Sequence, residues 1–479
     1  MNSRSARLDV PPAVLRQLAV AQPQRYPALL ESAVAGPLGK VTILAAQPQA
    51  AMWATADGRV HGRGVEPRAG RFLDALELWW RHSAGSAAAR ETQTPFAPGW
   101  VVFLGYEMAA DIEPHLSLPP TPLPWNAFAL RTPCALVHVL ESDTVWAVAE
   151  AAATGLLDEV VADAERMAAA TAAHTGIRCA DPGERAFEVA EEDPALYIER
   201  VRRAQEYIRA GDIYQANLSR PWQVSPTAAP GSVAHAQALA PGLLYERLRR
   251  RNPAPFAALL QWQGVSVLSS SPERLLRVRG REVDTRPIAG TRPRTLRPGE
   301  DAPEAAALVA HPKERAEHIM LIDLERNDLG RVCEAGTVIV NELMVTETYA
   351  HVHHIVSNVQ GRLRPGVTPI GALQAVFPGG TITGCPKFRC MQIIAELEGQ
   401  GRGAFYGSLG YLTSGGEMDL NILIRTMTVA DSQITLRTGG GIVADSDPER
   451  ELNETRAKAR GMLAVFDEIP QDLAARGST

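Results

Sequence analysis

The run MDLNILIRTMTV, from Met418 to Val429, constrains the fold most. Met418, Leu420, Ile422 and Ile424 fall on one side of an extended chain, with Asp419, Asn421, Leu423 and Arg425 on the other. That is the period of a strand with one covered and one polar face. VVFLGYEMAADIEPHL and CALVHVLESDTVWAVAEA also alternate as strands do, and VSVLSSSPERLLRVRGREVDTRPIAGT reads as strand, turn and strand. Helical spacing separates them. Leu156, Val160, Ala164 and Met167 mark a helix in TGLLDEVVADAERMAAATAA. Asp193-Pro194 opens another, with Tyr197, Val201, Ala204 and Ile208 on its apolar face and Gly211 as its stop. APEAAALVAHPKERAEHIMLIDLERNDLG reads as one long helix ending near Gly330. HTGIRCADPGERAFEVAEEDP reads as a linker, and TAAPGSVAHAQALAPG as an inserted surface loop. Strands alternating with helices predict a large α/β or α+β fold.

Composition narrows the partners. A net charge of −6 gives no global attraction to nucleic acid or membrane, so positive potential for an anionic substrate must be local. The five cysteines are scattered without a C-x-x-C pair, which argues against a disulfide framework or a zinc site. The N-terminal stretch has no apolar run of signal-peptide length, and the cytoplasm is the expected compartment. Basic residues are nearly all arginine; the lysines are Lys40, Lys313, Lys387 and Lys458.

Several patterns carry chemistry. Glu314 and Glu317, and likewise Glu451 and Glu454, stand three apart, so each pair shares one helix face. Four such carboxylates suit a hard cation such as Mg2+; the alternative is two solvated faces with links such as Glu454 to Lys458. VFPGGTITGCPKFR is Gly-rich before a helical run, so its amides and the Thr381 and Thr383 hydroxyls can seat an anion. The spacing is not that of a Walker loop, and a plain strand-to-helix turn explains it equally well. Gly439 to Gly441 are either a second seat or a sharp turn. In ETYAHVHHIVS, His353 and His354 point to opposite faces of a strand, and one of them can serve as a general acid or be structural. Arg425 suits a bidentate bond to a carboxylate, or pairs with Asp419.

The motifs GDIYQANLS, NPAPF, SSSPERLLRV, RPIAGTRPR, ERAEHIMLIDLERNDLG, HHIVS, FPGGTITGCPK, YGSLGY, DLNILIRT and PERELNETRAKA occur in the order found in chorismate-utilising enzymes. The chain resembles that family densely from Pro194 to Phe466 and more weakly before it, where YPALLESA resembles an N-terminal motif. The resemblance implies an α+β fold of two large facing β-sheets flanked by helices, with the active site between the sheets. It divides the chain into residues 1–185, an N-terminal tryptophan-pocket region, and 194–468, a catalytic region interwoven with the first. It implies Glu317 and Glu454 as Mg2+ ligands, Glu314 and Glu451 holding metal-bound water, and Lys458 beside the ring carboxylate of chorismate. Arg425 and the backbone near Gly441 would seat the enolpyruvyl carboxylate. His354 would be the acid that helps the 4-hydroxyl leave, and Gly290, Thr291 and Thr381 would line the pocket. Ser32, Pro253 and Phe256 match the lining of the tryptophan pocket. At a position where anthranilate synthases often carry tyrosine, this sequence has Phe405, with Tyr406 beside it.

Gln215 stands where water-adding relatives carry a lysine base, and glutamine has no usable pKa for that work. Ammonia is therefore the expected nucleophile. No cysteine sits in a G-x-C-x-G setting, so ammonia is expected from solution or from a separate glutamine amidotransferase subunit. GDIYQANLS, SSSPERLL, PGGTITG, YGSLGY and DLNILIRT resemble aminodeoxychorismate synthase component I. Ala289 resembles anthranilate synthase, because many aminodeoxychorismate synthases place a nucleophilic lysine there. The expected activity is amination of chorismate to 4-amino-4-deoxychorismate, for 4-aminobenzoate and folate. The alternatives are anthranilate synthase component I and a catalytically silent scaffold that docks an amidotransferase.

Overall fold

The computed structural model describes residues 4–34, 38–83, 96–173, 187–294, 301–348 and 352–466. Its strands form a 12-stranded and an 11-stranded sheet, with helices on their outer sides, as the α+β expectation required. Both sheets draw strands from early and late in the chain. In the first, Ala28–Glu31 pairs antiparallel with Phe256–Trp262; in the second, Gly99–Leu104 pairs with Ser408–Thr413. An apolar layer joins them, with Val101, Phe103 and Phe128 of one sheet against Ala258, Leu260 and Val267 of the other. Among the described residues, no helix is long and apolar enough to cross a membrane.

The chain passes between the sheets at two places that bear on function. Val265–Ser271 belongs to the first sheet and Arg274–Arg279 to the second, with Pro272 and Glu273 between them. The run MDLNILIRTMTV is likewise not one strand: Met418–Asn421 lies in the second sheet and Thr426–Ala430 in the first. Its alternation ends at Asn421 because the two crossings pair with each other. The Ile422 amide donates to the Glu273 carbonyl at 3.0 Å, and the Ser271 hydroxyl donates to the Ile422 carbonyl at 2.5 Å. The Ser270 amide donates to the Arg425 carbonyl at 3.0 Å. Arg425 turns the chain with a φ of +51°, a left-handed conformation uncommon for a residue with a side chain.

Other elements follow from local chemistry, with corrections. The helix Pro194–Ala210 is capped as expected, by Asp193 Oδ1 accepting from the Ala195 amide at 2.9 Å and by Gly211 at φ +83°. The expected single helix before Gly330 is two, Asp301–Ala310 and Pro312–Gly330. Pro312 has no N–H to continue the first, and His311 Nδ1 accepts from the Glu314 amide at 3.5 Å to start the second. The stretch read as a surface loop contains the helix Val233–Ala238, capped by the Ser232 hydroxyl, and runs into Pro241–Arg251. Within the expected linker, Phe187–Glu191 is a strand paired with Gln215–Pro226; residues 174–186 lie outside the described residues.

Gly439 to Gly441 make no turn. They lie in the strand Gln433–Ile442, opposite Ser219, Leu218 and Asn217. A Cβ at Gly439 would stand 2.2 Å from the Leu218 carbonyl oxygen, a backbone atom that cannot step aside without parting the strands. Gly439→Ala is expected to cost about 1–3 kcal/mol of stability, as overpacking does. Urea denaturation would show this as a lower midpoint.

Candidate active site

The two crossings deliver Glu273 and Arg425 into the space between the sheets, and a closed circuit of neighbouring groups surrounds that space. Arg425 Nη2 donates to His354 Nε2 at 3.2 Å. A guanidinium only donates, so the His354 proton sits on Nδ1, 3.3 Å from the Gly290 carbonyl oxygen that accepts it. Gly290 has φ +67° at an irregularity of the strand Ile288–Pro293, and a Cβ there would meet Glu314 Oε2 at 2.8 Å. Glu314 and Glu317 occupy the first turns of the helix that Pro312 begins. Gln215 Nε2 donates to Glu317 Oε1 at 3.3 Å. It lies where a Cβ on Gly441 would be, 2.0 Å away.

Gly440 faces the second acidic pair, and a Cβ there would stand 3.6 Å from Glu451 Oε2, Glu454 Oε1 and Lys458 Nζ. These three residues sit on the helix Pro448–Leu463, which Asp447 caps. Lys458 Nζ pairs with Glu454 at 2.8 Å and donates to the Gly439 carbonyl at 2.8 Å. Glu451 accepts from the Ser446 hydroxyl at 2.8 Å. The circuit closes through buried Tyr406, which feels the charges of both Lys458 and Glu273, and through Thr381, beside Glu273.

The electrostatics assign different states to these groups. Burial, and then the repulsive charge of Glu314, raise the pKa of Glu317, with Gln215 and Lys458 opposing. Burial lowers the pKa of Lys458, but the charge and hydrogen bond of Glu454, with Tyr406 and Glu451 adding, together outweigh it and the net shift is upward. Burial, reinforced by the charge of Arg425, pushes His354 down to about 3, so in this site it is neutral at pH 7. Glu273 goes the other way. Burial pushes its carboxyl up to about 8, against the Thr381 hydroxyl, the Ile288 amide and the Arg425 charge, and with the Glu325 charge adding. At neutral pH the fold thus favours the protonated form of Glu273 and the neutral, singly protonated ring of His354.

The structure therefore brings Glu314, Glu317, Glu451, Glu454, Lys458, Gln215, Gly290, Gly441, Thr381, His354 and Arg425 around one space. Ala289 is buried opposite Ile355 in the wall beside it. Thr291 pairs with His354 in the same ladder. Among the described residues, no three carboxylates, imidazoles or thiols already stand as a metal-binding cluster. Asp419 is paired with Arg274, at 2.8 and 3.0 Å. Thr383 donates to the Gly379 carbonyl at 3.0 Å inside its own loop and offers no hydroxyl to a ligand. Ser32 lies elsewhere, donating to the Pro255 carbonyl at 3.2 Å between Pro253 and Phe256. It adjoins buried Glu31, which accepts from Arg16, Tyr245 and Arg249. The sequence reading missed Glu273 and gave Tyr406 only a substitute's part. A signal for Glu273 existed, since Pro272-Glu273 interrupts two apolar strand segments.

Comparison with known proteins identifies the family and the fold. The family described as chorismate binding enzyme matches residues 14–464. The chain is 49% identical to an "Anthranilate synthase component I-like protein" of Synechocystis sp., over 57% of this chain and 55% of that protein. It is 37% identical to anthranilate synthase component 1 of Cereibacter sphaeroides, over 97% of this chain and 93% of that protein. It is 36% identical to aminodeoxychorismate synthase component 1 of Bacillus subtilis, over 94% and 93%. The crystal structure of anthranilate synthase component I from Streptococcus pneumoniae TIGR4 superposes with a TM-score of 0.75 at 28% identity, covering 90% of this chain and 93% of that one.

The state of Glu273 has a measurable sign. Its folded pKa of about 8 lies above the ordinary 4.5, so the fold favours the protonated form. That stabilisation is complete at acid pH and is lost as pH rises through about 8. Glu273→Gln keeps a neutral side chain at every pH. Relative to the parent protein it is expected to gain on the order of 4 kcal/mol between about pH 5 and about pH 9. Urea denaturation at both pH values reads this difference; a constant offset between the two proteins would contradict it.

Proposed function

The chain belongs to the chorismate-binding enzyme family, and from that premise we propose that it aminates chorismate with ammonia to give 4-amino-4-deoxychorismate. The observation that carries the choice of nucleophile is Gln215. Its amide is packed against Gly441 and donates to Glu317, and no base stands at that position to deprotonate water. The motif set GDIYQANLS, SSSPERLL, PGGTITG, YGSLGY and DLNILIRT favours aminodeoxychorismate as the product. One observation, Ala289, favours a second reading as anthranilate synthase component I.

In this reading Arg425 and the backbone at Gly441 hold the enolpyruvyl carboxylate, and Lys458 adds positive charge beside the ring carboxylate. His354, neutral and hydrogen-bonded at both ring nitrogens, orients Arg425. Glu273 gives its proton to the departing hydroxyl, which leaves as water; this transfers to Glu273 the acid role first expected of His354. A buried carboxylic acid with a pKa near the working pH suits that task. With no lysine at Ala289, ammonia adds at ring carbon 2 as the 4-hydroxyl leaves, and a second ammonia at carbon 4 displaces the first. The ammonia comes from a separate glutamine amidotransferase subunit or from solution.

Magnesium fits the donor set. The paired glutamates are hard oxygen donors without thiols, and the repulsion between Glu314 and Glu317 is the kind a cation relieves. Glu317 and Glu454 would hold the ion, with Glu314 and Glu451 behind them, and it would supply positive charge to the ring carboxylate. The region around Ser32, Pro253 and Phe256 is proposed to take tryptophan.

Incubation with chorismate, Mg2+ and ammonium separates the readings. The expected product becomes 4-aminobenzoate once an aminodeoxychorismate lyase is added. Anthranilate would establish the second reading, and no turnover would support the silent scaffold. Under the same conditions Glu273→Gln is expected to lower kcat by about 100-fold or more while KM changes little, because the proton is needed only in the transition state.

A further inference from the structure

We propose that Glu325 reloads Glu273 with a proton after each turnover, passing inward a proton held by Asp328 and Lys387. The inference rests on the reading that Glu273 is the acid of a chorismate amination. The balance of that reaction calls for such a supply. The bond between ring carbon 4 and oxygen breaks, the oxygen takes the Glu273 proton and leaves as water, and neutral ammonia forms the new bond. The nitrogen keeps its hydrogens, because an alkylamine stays an ammonium at neutral pH. The enzyme is then left with a carboxylate at Glu273, and a proton must enter from outside in every cycle.

Glu325 is buried on the helix Pro312–Gly330, and its Oε1 accepts from the Gly380 amide at 3.2 Å. The next residue, Thr381, has its hydroxyl beside Glu273, so one short segment lies against both acids, and Glu273 feels the charge of Glu325. Thr285 places its hydroxyl beside Glu325. Among the described residues, Thr381 Oγ1, Thr285 Oγ1 and Glu325 Oε2 are buried polar atoms without a close hydrogen-bond partner. Polar atoms grouped in this way in a dry interior are the kind that an ordered water joins, and water carries protons between carboxyl groups. Asp328 stands one helical turn beyond Glu325, on the same face. Its Oδ2 accepts from Lys387 Nζ at 2.5 Å, and Lys387 also donates to the Val376 carbonyl at 3.0 Å. The Lys387 side chain is 17% exposed, against 7% for Asp328, so the route ends at solvent. Burial, with the charge of Asp328 adding and that of Lys387 opposing, raises the Glu325 carboxyl toward holding a proton.

Glu325→Gln keeps the shape and an acceptor for the Gly380 amide but has no acidic proton to pass on. Rapid-quench assays of the full-length parent and variant, with chorismate, Mg2+ and ammonium at neutral pH, count the chorismate consumed. The parent is expected to turn over at a constant rate. The variant is expected to consume about one chorismate per site within about twofold of the parent's rate, then to slow about 10-fold or more. Added imidazole buffer, which brings protons by another route, is expected to restore the later turnovers. A first turnover as slow as the later ones would reveal a merely structural role and overturn the inference. A variant that keeps the parent's constant rate, or a slow phase that imidazole leaves unchanged, would overturn it too. If Glu325→Gln does not fold, Asp328→Asn, which interrupts the next link, takes its place under the same expectations. Failure of the parent itself to consume chorismate would overturn the functional reading and this inference with it.

Discussion

Two stretches of chain leave one sheet for the other side by side, and the site depends on how they are tied together. The amide of Ile422 on the carbonyl of Glu273, the hydroxyl of Ser271 on the carbonyl of Ile422, and the amide of Ser270 on the carbonyl of Arg425 form that tie. Each crossing satisfies backbone groups that the other would leave unpaired in the interior. The same bonds put an uncharged carboxylic acid and a guanidinium into the gap between the sheets. Catalytic groups on a rigid crossing are held more firmly than groups on a free loop. The left-handed backbone at Arg425 is the local cost of that placement.

Charge is distributed around the pocket so that each group's state is set by its neighbours. Four carboxylates stand near one another on two helices, and two of them, Glu314 and Glu451, lie in first turns, where the helix dipole favours negative charge. Lys458 pairs with Glu454 and also opposes the upward shift of Glu317, which burial and the charge of Glu314 produce. Across the pocket, the same dry surroundings keep Glu273 protonated and His354 neutral. Burial acts in opposite directions on an acid and a base, so one environment yields both a proton donor and a neutral imidazole.

Much of this was legible in the residues. Helices marked by caps and breakers, such as Pro194–Ala210, stand where Asp193 and Gly211 put them. The acidic pairs and Arg425 surround one space because helix and strand periods preserve direction over a few residues. What could not be read was set by distant partners. MDLNILIRTMTV reads as one strand, yet its alternation stops at Asn421, where the chain changes sheets and consecutive Ile422 and Leu423 are both buried. The role of Glu273 was hidden because nothing local announces that a carboxylate will be dry. Pro312, by contrast, was a local signal passed over, and the break it makes aims Glu314 and Glu317.

The glycine run beside Gln215 meets two separate demands. Gly439 leaves room for a facing carbonyl and Gly441 for the Gln215 side chain, whereas a Cβ at Gly440 would make only ordinary contacts at 3.6 Å. The residue at 215 therefore occupies volume that position 441 vacates, and the two cannot vary independently. A side chain at 441 would need a shorter or displaced one at 215, so the width of this gap is set jointly from two adjacent strands.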